Sequence, residues 1–105
     1  MLHHLLLIQL KSEAREKKVE DLMVETRMRL LKIPEILNLQ CGKRIDKSNP
    51  HDFFVAMDLE NRSKLKAAED DPIYLQFKHQ VLDPHAKEVL ILDYEMEPGK
   101  DVNYS

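Results

Sequence analysis

Five histidines, three tyrosines, one cysteine and nineteen carboxylates are the residues of this chain with chemistry to offer. Their spacing decides what they can do together. His3 and His4 adjoin in a stretch that reads as a strand, so they point to opposite faces and cannot chelate one metal as neighbours. His4 shares its face with Leu6, Ile8 and Leu10, the setting of a hydrogen-bonded core histidine, while His3 falls on the other face, where a dimer seam would lie. His79 and His85 flank the end of a helix, where imidazolium suits the negative dipole end. His51 opens a strand and carries no spacing signal. Cys41 lacks a partner cysteine and lies on an apolar parity, the pattern of a buried thiol. Asp70 and Asp71 precede Pro72 and read as helix capping. Gly42 and Gly99 are the only glycines, so no phosphate-cradling loop exists and no nucleotide or metal cofactor is expected. Tyr74, reaching from a helix toward the sheet, could line with His4 a small cavity between helices and strands, the phenol and imidazole each offering one directional hydrogen bond.

The elements that must position these groups follow from periodicity. Met1 to Leu10 is apolar on both parities, as in a strand covered on both faces. Ser12 offers an N-cap to an amphipathic helix holding Ala14, Val19, Leu22, Met23, Thr26, Leu30 and Ile33, stopped by Pro34. Leu37, Leu39 and Cys41 alternate with Asn38 and Gln40, with Ile45 continuing the parity past a bulge expected at Gly42. After the turn-forming run Asp46 to Pro50, alternation over Phe53 to Leu59 completes a hairpin. Asn61 caps a short helix, Asp71 and Pro72 start another, and Asp83 with Pro84 ends it. Val89 to Leu92, continued by Tyr94 and Met96, reads as a last buried strand.

The order strand, helix, strand, strand, broken helix, strand predicts an α+β, ferredoxin-like βαββαβ fold with a four-stranded antiparallel sheet. Helices cover one face of such a sheet and leave the other bare. Here the second face is apolar too, through Leu5, Leu7, Phe54, Ala56, Leu90 and Leu92. Covering six such side chains is worth a gross gain on the order of 10 kcal/mol. A second copy is the simplest cover, which gives a homodimer, a dimeric α/β barrel with Leu5, Leu7 and Phe54 in its interface. One domain over residues 1–97 and a polar tail over 98–105 are expected.

Sixteen basic against nineteen acidic residues leave a formal charge of −3 without a basic stripe, which argues against nucleic acid as a partner. No apolar run approaches the roughly 20 residues of a membrane span, and the N-terminus lacks the basic start of a signal peptide. A single cysteine is at home in a reducing compartment, so a cytoplasmic protein is expected.

With the elements placed, the chain resembles the stress-responsive A/B barrel domain family of dimeric ferredoxin-like proteins. The resemblance rests on His4 with Leu5 to Ile8 and Lys11, Ile33 with Pro34, Gly42 with Lys43, Phe53 to Asn61, Asp71 to Phe77, and Ile91 to Tyr94. It implies a candidate ligand pocket at His4, Thr26, Phe53 and Tyr74 for a small hydrophobic molecule. In the cyclase-like members, a Tyr-x-x-His-Pro-x-His stretch supplies acid and base. Aligned through Pro72, those positions fall on Ala68, Asp71 and Tyr74, the third-strand histidine position on Phe53 and the first-helix tyrosine position on Thr26. Of these polar groups the chain retains His4 alone, so no catalytic residue is assigned and the expected role is non-enzymatic. The alternative is a cofactor-independent enzyme, polyketide cyclase-like or monooxygenase-like, using His4 and Tyr74.

Overall fold

A computed structural model describes residues 1–15 and 18–97 of the chain. The expected polar tail, 98–105, lies outside the described residues. Strands β1 (Leu2–Leu10), β2 (Leu37–Lys43), β3 (Phe53–Leu59) and β4 (Ala86–Glu95) form one antiparallel sheet in the order β2-β3-β1-β4. Helices α1 (Ser12–Arg15), α2 (Val19–Leu30), α3 (Arg62–Asp70), α4 (Pro72–Phe77) and α5 (Asp83–His85) make up the rest, with a π-helical turn at Lys78–Leu82 between α4 and α5. This is the ferredoxin-like arrangement that the element order predicts.

The helix-facing parity carries the core. Leu6, Ile8 and Leu10 of β1 and Phe53, Val55, Met57 and Leu59 of β3 are buried against Leu22 and Leu30 of α2 and Tyr74 and Phe77 of α4. Two caps sit where the sequence places them: the Asn61 carboxamide accepts from the Lys64 N–H and the Asp71 carboxylate from the Ile73 N–H, with Pro72 as the first helical residue.

Five local expectations are corrected. The single helix from Ser12 is two segments, Ser12–Arg15 and Val19–Leu30, with Lys18 outside helical space (φ −126°, ψ −1°) just before the second. The irregularity in β2 falls between Leu37 and Gln40, where Asn38 takes φ 50°, a left-handed conformation that asparagine tolerates better than most residues. Gly42 stays in register, and its missing side chain makes room for Phe54, whose ring carbon would sit 2.2 Å from a Cβ there. Ile45 lies beyond β2 and is fully exposed.

Pro84 does not end the helix at Asp83. The preceding π turn, in which the Asp83 N–H donates to the Lys78 carbonyl, removes the carbonyl that a proline ring would strike in an α-helix, and α5 runs on to His85. Finally, β4 is an edge strand rather than a buried one. Ile91 has core-facing parity, paired with Leu6, yet is 53% exposed, because at the sheet edge the helices do not reach over it.

Candidate functional site: a histidine–aspartate pair and a cleft beside β4

The antiparallel register of β1 and β4 sets His4 opposite Asp93. Their side chains bond, His4 Nδ1 to Asp93 Oδ1. With Nδ1 engaged by the carboxylate, Nε2 is the ring nitrogen left for a second bond. That Nε2 is buried and has no hydrogen-bond partner, the one buried side-chain polar atom so left among the described residues. His4 itself is 1% exposed, while the Asp93 side chain is nearly half exposed. A buried imidazole, oriented by a carboxylate at one nitrogen and free at the other, can accept a proton or a hydrogen bond.

Tyr74 closes the group from α4. Its phenol is pushed well above the ordinary tyrosine range, first by burial and then by the carboxylates of Glu69 and Asp93. It therefore serves as a donor at neutral pH, never as a base. Tyr74 also packs edge-on against Phe77, ring centroids 5.7 Å apart, which fixes the ring.

Two clefts adjoin these residues. The smaller, about 280 Å³, runs between the α4–π-turn segment and β4, with Leu6, Tyr74, Leu82, Val89 and Ile91 as its apolar walls and Lys78 and Lys87 among its charged residues. The larger, about 790 Å³, lies between the start of β1, α3 and the end of β4, and Asp93 and Glu69 line it. His4 lines neither.

The four residues of the expected pocket are therefore not gathered at one place. Tyr74 lines the smaller cleft, and Asp93 stands beside both Tyr74 and His4. Thr26 is buried with its hydroxyl donated to the Leu22 carbonyl at 2.7 Å, committed to its own helix. Phe53 is a core residue opposite Ile8, four residues along β1 from His4, or about 13 Å at strand rise. Asp93 and Glu69 were not singled out by sequence. Asp93 is the polar break in the apolar run from Val89 to Tyr94, and that break on the core-facing parity was the available signal.

The open sheet face carries a second polar group. His3 lies opposite Asp58, with Nδ1 at 2.7 Å from Oδ1, and the Asn38 side-chain amide donates to the other carboxylate oxygen at 2.9 Å. Burial opposes ionisation of Asp58, but the bonds from His3 and Asn38, the His3 charge and the N-terminal ammonium outweigh it and hold the carboxyl below its usual range. Burial pushes the half-buried Cys41 thiol up, with Arg27 opposing, as an inert thiol requires. Among the described residues no helix is long and apolar enough to cross a membrane. No cluster of three His, Cys, Asp or Glu side chains suited to a metal occurs among them either.

A four-stranded antiparallel sheet in the order β2-β3-β1-β4 with helices on one face defines the ferredoxin-like α+β class. The family model described as Stress Responsive A/B Barrel Domain matches residues 2–96, and the chain belongs to that family. Among solved structures it is similar to a Dabb family protein of Mesorhizobium loti with a ferredoxin-like fold (17% identity, TM-score 0.80, covering 91% of this chain and 96% of that one). It is also similar to a dimeric ferredoxin-like protein of unknown function from Thermobifida fusca (19%, 0.79, 90% and 90%). A third likeness is to a hydroxynitrile lyase from Passiflora edulis (13%, 0.78, 95% and 96%). At these identities the likenesses establish the fold. Compared by sequence with curated proteins, the chain matches none.

Proposed function

We propose that this chain is a cytoplasmic homodimer that binds a small hydrophobic molecule in the cleft between α4, the π turn and β4. The observation that carries the binding reading is Ile91: a large aliphatic side chain on the core-facing parity, more than half exposed, facing a cleft whose other walls include Leu6, Leu82 and Tyr74. An apolar ligand completes the cover that the helices leave missing, and the buried phenol supplies one directional hydrogen bond.

The dimer is supported by register. Across β3, β1 and β4 the open-face residues fall in two rows, Phe54, Leu7 and Leu90, then Ala56, Leu5 and Leu92. The similar T. fusca protein is described as dimeric. Two such sheets packed open face to open face bury both rows and place the His3–Asp58 pairs in the seam. Sedimentation at micromolar concentration is expected to give twice the chain mass, and a stable monomer would remove this part of the reading.

The ligand is tested by melting the purified protein against a panel of aromatic and polyketide-like compounds. Binding to the folded state alone stabilises by about 2.7 kcal/mol at a hundredfold excess over Kd. The rise in Tm should vanish in Ile91→Lys. A panel without any shift, at concentrations of a millimolar, ends the binding reading.

A second reading, cofactor-independent proton transfer, is favoured by the unpartnered Nε2 of His4. In it His4 is the base, Asp93 orients it and Tyr74 donates to a developing oxyanion. That His4 lines neither cleft weighs for binding over catalysis. The separating measurement is deuterium uptake from solvent into a carbon acid such as a β-diketone: uptake above background, lost in His4→Phe and Asp93→Asn, favours the enzyme.

A further inference from the structure

The outer face of α2 is built for a partner that the open sheet face does not supply. Val19, Leu22, Thr26 and Leu30 turn inward and are buried. On the opposite side Val24, Met28 and Leu31, at spacings of four and three, are 43%, 61% and 68% exposed. A solvated helix face carries polar residues at those positions, and large apolar side chains in that sequence form a seam.

The charges flanking this stripe specify the occupant. The N-terminal half of α2 is acidic, with Glu20, Asp21 and Glu25, and the end of the helix and the turn after it are basic, with Arg27, Arg29 and Lys32. Glu20 is bridged to Lys43 and Glu25 to Arg29 within the chain, so pairing between chains falls to Asp21 and Lys32. A parallel neighbour of the same sequence would set like charge against like, whereas an antiparallel one sets the acidic half against the basic half. At 100° per residue, Asp21 and Lys32 fall on the same flank of the stripe, and both are equally far from the midpoint between Thr26 and Arg27. A two-fold axis through that midpoint brings Asp21 of each chain to the partner's Lys32. We propose that α2 pairs antiparallel with α2 of a second copy, through Val24, Met28 and Leu31 and the Asp21–Lys32 pairs. The contact lies on the far side of the molecule from the open sheet face, so it joins sheet-face dimers end to end and does not rest on the dimer reading above.

Sedimentation velocity over a concentration series, up to about a millimolar, tests it at low salt, where such pairs are least screened. Asp21→Lys alone and Lys32→Asp alone each set like charges together twice, and each is expected to weaken the α2 association about tenfold. Mixing the two variants in equal amounts brings only opposite charges together and should restore it. Both substitutions are at exposed positions, so the fold survives them. Leu90→Lys, at the exposed end of the open sheet face, separates this contact from the sheet seam. A dimer that survives Leu90→Lys and depends on Asp21 and Lys32 supports the α2 pair even if the sheet-face dimer fails. Association lost in Leu90→Lys and indifferent to Asp21 and Lys32 overturns the α2 proposal and leaves the sheet dimer standing. No association beyond monomer in the wild type overturns both.

Discussion

Arg15 at the end of α1 lays its guanidinium Nε 2.9 Å from the carboxylate of Asp52, which is 1% exposed and also accepts the Leu10 N–H at 2.8 Å. Arg44 stands on the same oxygen at 3.6 Å, and the Asp52 N–H donates to the Ile8 carbonyl. One buried carboxylate thus ties the end of β1, the end of α1 and the loop entering β3.

Removing it leaves the Leu10 N–H without an acceptor and Arg15 without its counter-charge. Asp52→Ala is expected to cost about 3 kcal/mol. Arg15→Ala should cost less, since Asp52 keeps the Leu10 N–H and Arg44. Urea unfolding of both variants checks the ranking, and a larger loss for Arg15→Ala would contradict it.

Gly42 allows the Phe54 ring to lie over its backbone. In Gly42→Ala the ring must move, with strain of about 1–3 kcal/mol and a displaced Phe54 on the open face. Both the unfolding midpoint and the dimer dissociation constant are expected to worsen. A change in stability alone would place Phe54 outside the seam.

The unpartnered Nε2 of His4 carries a desolvation cost of about 1–3 kcal/mol that no structural bond offsets. His4→Leu replaces the ring by an aliphatic side chain among Leu6, Met57 and their neighbours and frees Asp93, which already meets solvent. The variant is expected to be as stable as the parent or more so, by up to about 1 kcal/mol, in thermal melts. A loss above about 2 kcal/mol would show that the bond to Asp93 dominates.

Asp58 predicts a pH dependence of defined sign. Its carboxyl titrates lower in the folded chain than unfolded, where it sits near 4, so its stabilisation is complete above about pH 4 and disappears as pH falls through the lowered folded value. Asp58→Asn should lower stability at neutral pH and flatten the acid limb of the curve below about pH 4. Parallel acid limbs for the two proteins would place the titration elsewhere.

The parts of this fold legible in the sequence are those whose cause is local. The Asn61 and Asp71 caps, the Phe53–Leu59 alternation and the doubly apolar β1 all rest on neighbours within a few positions. The His4–Asp93 and Arg15–Asp52 contacts join residues 89 and 37 positions apart, and only the strand register and the loop path bring them together. Asp93 therefore reads as an ordinary polar position, and Asp52 falls between the turn-forming run and the strand at Phe53 with no signal of its own. The exposure of Ile91 was hidden for a related reason. Parity tells which face a side chain takes, but which strand lies at the sheet edge depends on the strand order.

The π turn at Lys78–Leu82 forms one wall of the smaller cleft, and Pro84 follows it directly. Relaxing that turn to α-helix would rotate Leu82 out of the wall, but it would also drive the Pro84 ring toward the Gln80 carbonyl. Downstream, the His85 carbonyl is held by the Lys11 N–H at 2.9 Å, so the segment cannot slide to relieve that clash. The wall beside Leu82 is thus held by a covalent ring on one side and a backbone bond on the other. A guest of the kind proposed above would meet a wall already in place, and less of its binding energy would go to reshaping the host.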